Sequence, residues 1–121
     1  MEEWNTGLMA HLGIRILETA PDKVVGELQV RDELKTTTSA VHGGTLMAFA
    51  DTIGAIGTAA QGFKTATLES KTNFFAAATS GKLRAESTAL HKGKRSHVWQ
   101  TRITDESGRL LSLTIQTQMI L

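Results

Sequence analysis

The chain has 121 residues, enough for one domain with a real core, and its 40% apolar and 21% charged residues are the balance of a soluble globular protein. A net charge of +1 argues against nucleic acid or an anionic membrane surface as a partner, and near-neutrality favours self-association. With no cysteine, disulfides, thiolate nucleophiles and cysteine-ligated metals are excluded.

The opening MEEWNTGLMAHLG is acidic where a signal peptide needs a basic start and an apolar run, so a cytoplasmic location is expected. Ile14, Ile16 and Leu17 suggest a short strand, and Pro21 in ETAPDK a turn. Val24, Gly26, Leu28 and Val30 then alternate with Val25, Glu27 and Gln29, the period of a half-buried strand. RDELKTTTS reads as a loop.

From residue 43 to 63 there is no lysine, arginine or glutamate, and a lone carboxylate, Asp51. Leu46, Phe49, Ala50, Ile53, Ile56 and Ala60 recur at three- and four-residue steps, which predicts one helix of roughly five turns. Gly43 and Gly44 mark its start and Gly62 its end. Gly54 and Gly57 would each weaken an isolated helix by up to about 1 kcal/mol, so their presence implies very close packing by a sheet or another backbone. A membrane span is the poorer reading, because the stretch carries Asp51, several glycines and threonines and little leucine or valine.

Strands are expected over 65–75, 82–90, 98–104 and 110–121, with turns at Ser80-Gly81 and DESG (105–108) and a basic loop, HKGKRSH, between the second and third. In 65–75, Leu68, Ser70, Thr72 and Phe74 fall on one face. In the last strand Leu113, Ile115 and Met119 alternate with Ser112, Thr114, Gln116 and Gln118. Phe74, Phe75 and Trp99 read as core. The layout is a single α+β domain over 1–121, one long helix packed on an antiparallel sheet of about five to six strands.

A helix N-terminus presents unpaired N–H groups and about half a positive charge, which suits an oxyanion, and glycine there lets a ligand approach. Asp51, two turns further along, has the chemistry of a nucleophile or a general base. Set against this, a histidine before two glycines is often only a helix-entry residue, and a buried aspartate is often satisfied by nearby backbone.

VHGGTLMAFADTIG, LESKTNFF and LHKGKRSHVWQTRITDESGRLLS together resemble the hotdog-fold acyl-CoA thioesterases, in the branch of the 4-hydroxybenzoyl-CoA, 1,4-dihydroxy-2-naphthoyl-CoA and phenylacetate-pathway enzymes. The resemblance covers nearly the whole chain. It implies hydrolysis of an aromatic or hydroxyaryl acyl-CoA with no cofactor and no metal. By the same resemblance Asp51 is the catalytic carboxylate, Gly43 the N–H that polarises the thioester carbonyl, and His42 the residue that orients it. It implies a homodimer with the site at the subunit interface, and a homotetramer as the usual assembly. Gly44, His91, Lys92, Gly93, Lys94 and Arg95 are the substrate- and CoA-binding candidates, the basic loop serving as a phosphate clamp or, alternatively, as a solvated hairpin.

Three features depart from the pattern. Thr36 stands where a glutamine or asparagine often contacts the thioester. Ala55 stands where some members place a water-holding hydroxyl, although Thr52 and Thr58 are near. Ala76 and Ala77 replace an arginine–proline pair. A non-catalytic acyl-CoA sensor on the same fold is the alternative, but it would not need Asp51. Hydration of an enoyl thioester fits less well, given the interval from His42 to Asp51. None of His11, His42, His91 and His97 has metal-ligand spacing.

Overall fold

The structure, a computed structural model, describes residues 2–121. After a 3-10 turn at Glu2–Trp4 come helix α1 (Gly7–Leu12) and strands β1 (Arg15–Ala20) and β2 (Lys23–Gln29), which meet at the Pro21 turn. Helix α2 (Gly43–Ala59) follows, then β3 (Thr65–Phe74), β4 (Lys82–Lys92), β5 (Ser96–Thr104) and β6 (Leu110–Ile120). All six strands are antiparallel neighbours in one sheet ordered β1-β2-β4-β5-β6-β3, so β1 and β3 are its edges. No helix among the described residues is long and apolar enough to cross a membrane.

Helix α2 lies across one face of the sheet and makes contact with every strand. Phe49, Ala50 and Ile53 are fully buried on it, against Leu28, Leu83 and Ile103 among others. Its glycines do what their position implies. A methyl group at Gly57 would come 2.6 Å from the Trp99 ring, and one at Gly54 would overlap the Gln116 amide, so the helix touches β5 and β6 through bare backbone. Gly26 on β2 gives the same room to Ile53, whose Cδ1 would lie 2.5 Å from an added methyl. Ala60, the last member of the periodic set, is exposed just past the helix end.

Several expectations need correction. Helix α1 and the 3-10 turn at Asp32–Leu34 lie in stretches with no predicted helix. Both are too short to show a period, and tertiary contacts hold them: Met9, Leu12 and Leu34 are core residues. A bulge near Leu68 interrupts the pairing of β3 with β6, so Thr67 pairs with Gln118 while Ser70 pairs with Gln116. The helix-facing set is therefore Thr67, Ser70, Thr72 and Phe74, and Leu68 is turned out, 66% exposed. On β6 the buried face is the polar one: Ser112, Thr114, Gln116 and Gln118 point under α2, while Ile115 and Met119 are exposed. Trp99 is core, but Phe74 and Phe75 are not; they are 49% and 59% exposed.

Candidate active site

The start of α2 is tied down from several sides. The His42 N–H donates to Leu34 O at 2.9 Å, the Val41 N–H to Ala78 O at 2.8 Å, and Thr45 Oγ1 to Leu34 O at 3.0 Å. His42 is the N-cap: its Nδ1 accepts from the Gly44 N–H at 2.7 Å, while its carbonyl accepts from Thr45 and Leu46. Because Nδ1 is an acceptor, the ring proton of neutral His42 sits on Nε2, on an exposed side chain. One donor of the first turn is left over. The Gly43 N–H has no acceptor among the described residues, whereas that of Gly44 is already used. Beside Gly43 stands Phe74, whose ring would be 3.3 Å from an added methyl and so screens the helix end.

Asp51 emerges from the middle of α2, half-buried, facing β3 and β6. Its Oδ1 accepts from Thr67 Oγ1 at 2.6 Å and from Gln116 Nε2 at 3.2 Å. Its Oδ2 accepts from nothing among the described residues. Two cavities open beside it. One, of about 280 Å³, has a mostly apolar wall of Trp4, Met9, Ala55, Ile56 and Ala59; the other, of about 270 Å³, is lined by Met47, Ala48, Thr67 and Ser70. A carboxylate that lines a cavity, with one oxygen held and the other unbonded, can attack a carbonyl or take a proton from water.

The threonines near Asp51 in sequence are occupied elsewhere. Thr52 Oγ1 donates to Ala48 O at 2.8 Å, and Thr58 Oγ1 faces the sheet, accepting from Trp99 Nε1 at 3.0 Å and lying 2.9 Å from His97 Nδ1. The hydroxyl beside the carboxylate is that of Thr67, sixteen residues on. Reading β3 as one unbroken alternation hid it, because the bulge at Leu68 is what turns Thr67 inward. Thr36 is bonded within its own loop, to Thr38.

The basic loop is shorter than expected. His91 and Lys92 belong to β4 and His97 to β5, which leaves residues 93–95 as the turn. Lys92 Nζ is paired with Asp22 Oδ1 at 2.9 Å across the β1–β2 turn. Lys94 and Arg95 are exposed, and their side chains have no ion-pair partner among the described residues. His91 is exposed next to Gly93. His97 is structural: it is buried, and burial first, then the charges of Lys92 and His91, hold its pKa below the ordinary imidazole value. No cluster of potential metal ligands occurs among the described residues.

Comparison with known proteins agrees with this architecture. Residues 38–112 match the family model "Thioesterase superfamily", which spans α2 and most of the sheet. A 1,4-dihydroxy-2-naphthoyl-CoA hydrolase of Listeria monocytogenes is 31% identical over 112 residues, covering 89% of this chain and 90% of the relative. The Escherichia coli enzyme of the same name is 31% identical over 117 residues, covering 94% and 86%. The crystal structure of a thioesterase from Haemophilus influenzae superposes with a TM-score of 0.93 at 25% identity, covering 99% of this chain and 86% of that one. An antiparallel sheet wrapped on one long helix, with its match to that family over most of the helix and sheet, makes this chain a hotdog-fold member of the thioesterase superfamily, a thioester hydrolase.

Proposed function

We propose that the protein hydrolyses an acyl-CoA to the free acid and CoA, with Asp51 as nucleophile or general base and the Gly43 N–H as the oxyanion donor. The observation that carries this reading is the Asp51 carboxylate, held at one oxygen and open at the other beside an apolar cavity of about 280 Å³. The thioester carbonyl oxygen accepts from Gly43, and the helix dipole opposes the negative charge that grows on it. Asp51 either adds to the carbonyl carbon, expelling the CoA thiolate and leaving an anhydride for water to open, or removes a proton from water as that water adds. Either way the C–S bond breaks, water supplies the acid's new oxygen, and a proton returns to the thiolate.

Gly43 and Asp51 are eight residues apart on α2, roughly 12 Å at 1.5 Å per residue, whereas one carbonyl must sit about 3 Å from its donor and its attacker. The two groups of a single chain therefore serve different substrates, and a site combining them draws Gly43 from one subunit and Asp51 from another. β3 supports such pairing: it is a ten-residue edge strand beside Asp51 whose outer edge has no partner strand among the described residues. The apolar cavity wall, together with the relatives' names, supports an aromatic acyl group. Lys94 and Arg95, exposed in the basic turn and without an ion-pair partner among the described residues, are suited to the CoA phosphates. The cysteine-free composition fits a cytoplasmic enzyme.

The test is release of free thiol from a panel of aromatic and aliphatic acyl-CoAs by wild type, Asp51→Asn and Asp51→Ala. Turnover by wild type alone is expected. Equal turnover by all three removes Asp51 from the chemistry, and tight binding without turnover by any would make the protein an acyl-CoA sensor.

A further inference from the structure

Asp51 does not choose its own orientation, and the residue that restricts it comes from the face of β6 that lies under α2. Gln116 is 1% exposed, in the middle of β6. Its Nε2 lies 3.2 Å from Asp51 Oδ1, 3.3 Å from Asp51 O and 2.8 Å from Gln118 Oε1. All three are acceptors, so the amide nitrogen must face them; with the amide turned over, three oxygens would confront a fourth. Gln118 is held in turn, because its Nε2 donates to Thr65 Oγ1 at 2.9 Å and Thr65 donates to Met119 O at 2.7 Å. Gln116 thus donates in two directions, to the Asp51 carboxylate and, through Gln118 and Thr65, to the Met119 carbonyl of β6.

Two further details fit this use. Gln116 Oε1 is buried and has no hydrogen-bond partner among the described residues, which costs free energy. That cost is unexplained if the side chain merely fills the core. Gly54, one turn from Asp51 on α2, leaves room where any side chain would collide with the Gln116 amide. Thr67 converges on the same Oδ1, and Oδ2 is left for the reaction.

We infer that Gln116 is a positioning residue: with Gln118 behind it and Gly54 making space, it fixes the Asp51 carboxylate so that Oδ2 is displayed to the substrate. The inference rests on the proposed role of Asp51 and assigns Gln116 no contact with substrate.

Steady-state kinetics on the best-hydrolysed acyl-CoA test it, using wild type, Asp51→Asn, Gln116→Met, Gln118→Met and Ser112→Ala. Methionine keeps the length of glutamine and removes both donors. Gln116→Met is expected to lower kcat by about tenfold to a hundredfold, the size of effect that a misplaced catalytic group produces. KM and the Kd for a non-hydrolysable S-alkyl-CoA should be unchanged. Gln118→Met should lower kcat less, again without moving KM, and it carries the test if Gln116→Met fails to fold. Ser112→Ala, on the same buried face, should behave as wild type. Full kcat in both methionine variants while Asp51→Asn is dead overturns the inference alone, as does a rise in KM at constant kcat. Full activity in Asp51→Asn removes the proposed function, and this inference with it.

Discussion

His97 stands behind α2, stacked edge-on to Phe63 with ring centroids 5.7 Å apart, and shares Thr58 with Trp99. Trp99 can only donate to Thr58, which leaves the threonine proton for the imidazole Nδ1, an arrangement that fits the neutral ring favoured by burial. With the folded-state pKa below the unfolded value of about 6.5, the unfolded chain binds more protons between the two values. Stability is therefore complete above pH of about 6.5 and falls as the pH drops through that window towards the folded pKa. A thermal-melting series should show this acid-side loss in wild type and a flatter profile in His97→Asn. Asp105 is the other displaced group: hydrogen bonds from the Ser107 hydroxyl and the Arg109 N–H hold its carboxyl below the usual range. It organises the DESG turn, as the residue types suggest.

At the scale of elements, α2 and its glycines were legible because their signals are local. A 3.6-residue period without charge marks a buried helix, and glycine inside one marks close approach. Gly57→Ala tests the second point. Helix propensity favours alanine by up to about 1 kcal/mol, but the methyl must displace the buried Trp99 ring, and overpacking of that kind costs about 1–3 kcal/mol. A lower urea midpoint is expected; a higher one would mean that the Trp99 contact is loose. The N-terminus of α2 offers a cleaner experiment. His42 has φ −63° and ψ 137°, a backbone that tolerates proline next, and Gly43 is the first helical position, where proline fits. Gly43→Ala keeps the N–H and Gly43→Pro removes it, so kcat should fall much further in the second, by about 10²–10³ if this donor holds the oxyanion. In the basic turn, Lys94→Ala with Arg95→Ala should raise KM for acyl-CoA in a salt-sensitive way. Lys92→Ala should act mainly on stability, because Lys92 is paired with Asp22.

For the whole molecule, the proposed function makes the assembly part of the chemistry, because Gly43 and Asp51 lie roughly 12 Å apart along one helix. Gly43→Pro and Asp51→Asn chains, each inactive alone, should recover activity when mixed and allowed to exchange subunits. Statistical exchange in a dimer restores one site in each mixed pair, roughly a quarter of all sites. Mixed samples that stay inactive despite verified exchange would place both groups in one subunit. The edge strand β3 is the expected seam, and substitution there should lower activity and oligomeric mass together, read by sedimentation.

The sequence by itself determined the fold class, the order of strands and helix, and the pairing of a glycine-led helix start with one carboxylate. Each of these follows from periodicity, composition or spacing within a few residues. Tertiary structure alone decided what surrounds Asp51. Thr67 reaches it only because β3 bulges, and Gln116 only because the polar face of β6 is the buried one. A local pattern records which residues share a face. Which face is buried, and which side chain sixteen or sixty-five positions away meets a carboxylate, depends on how the sheet closes on the helix.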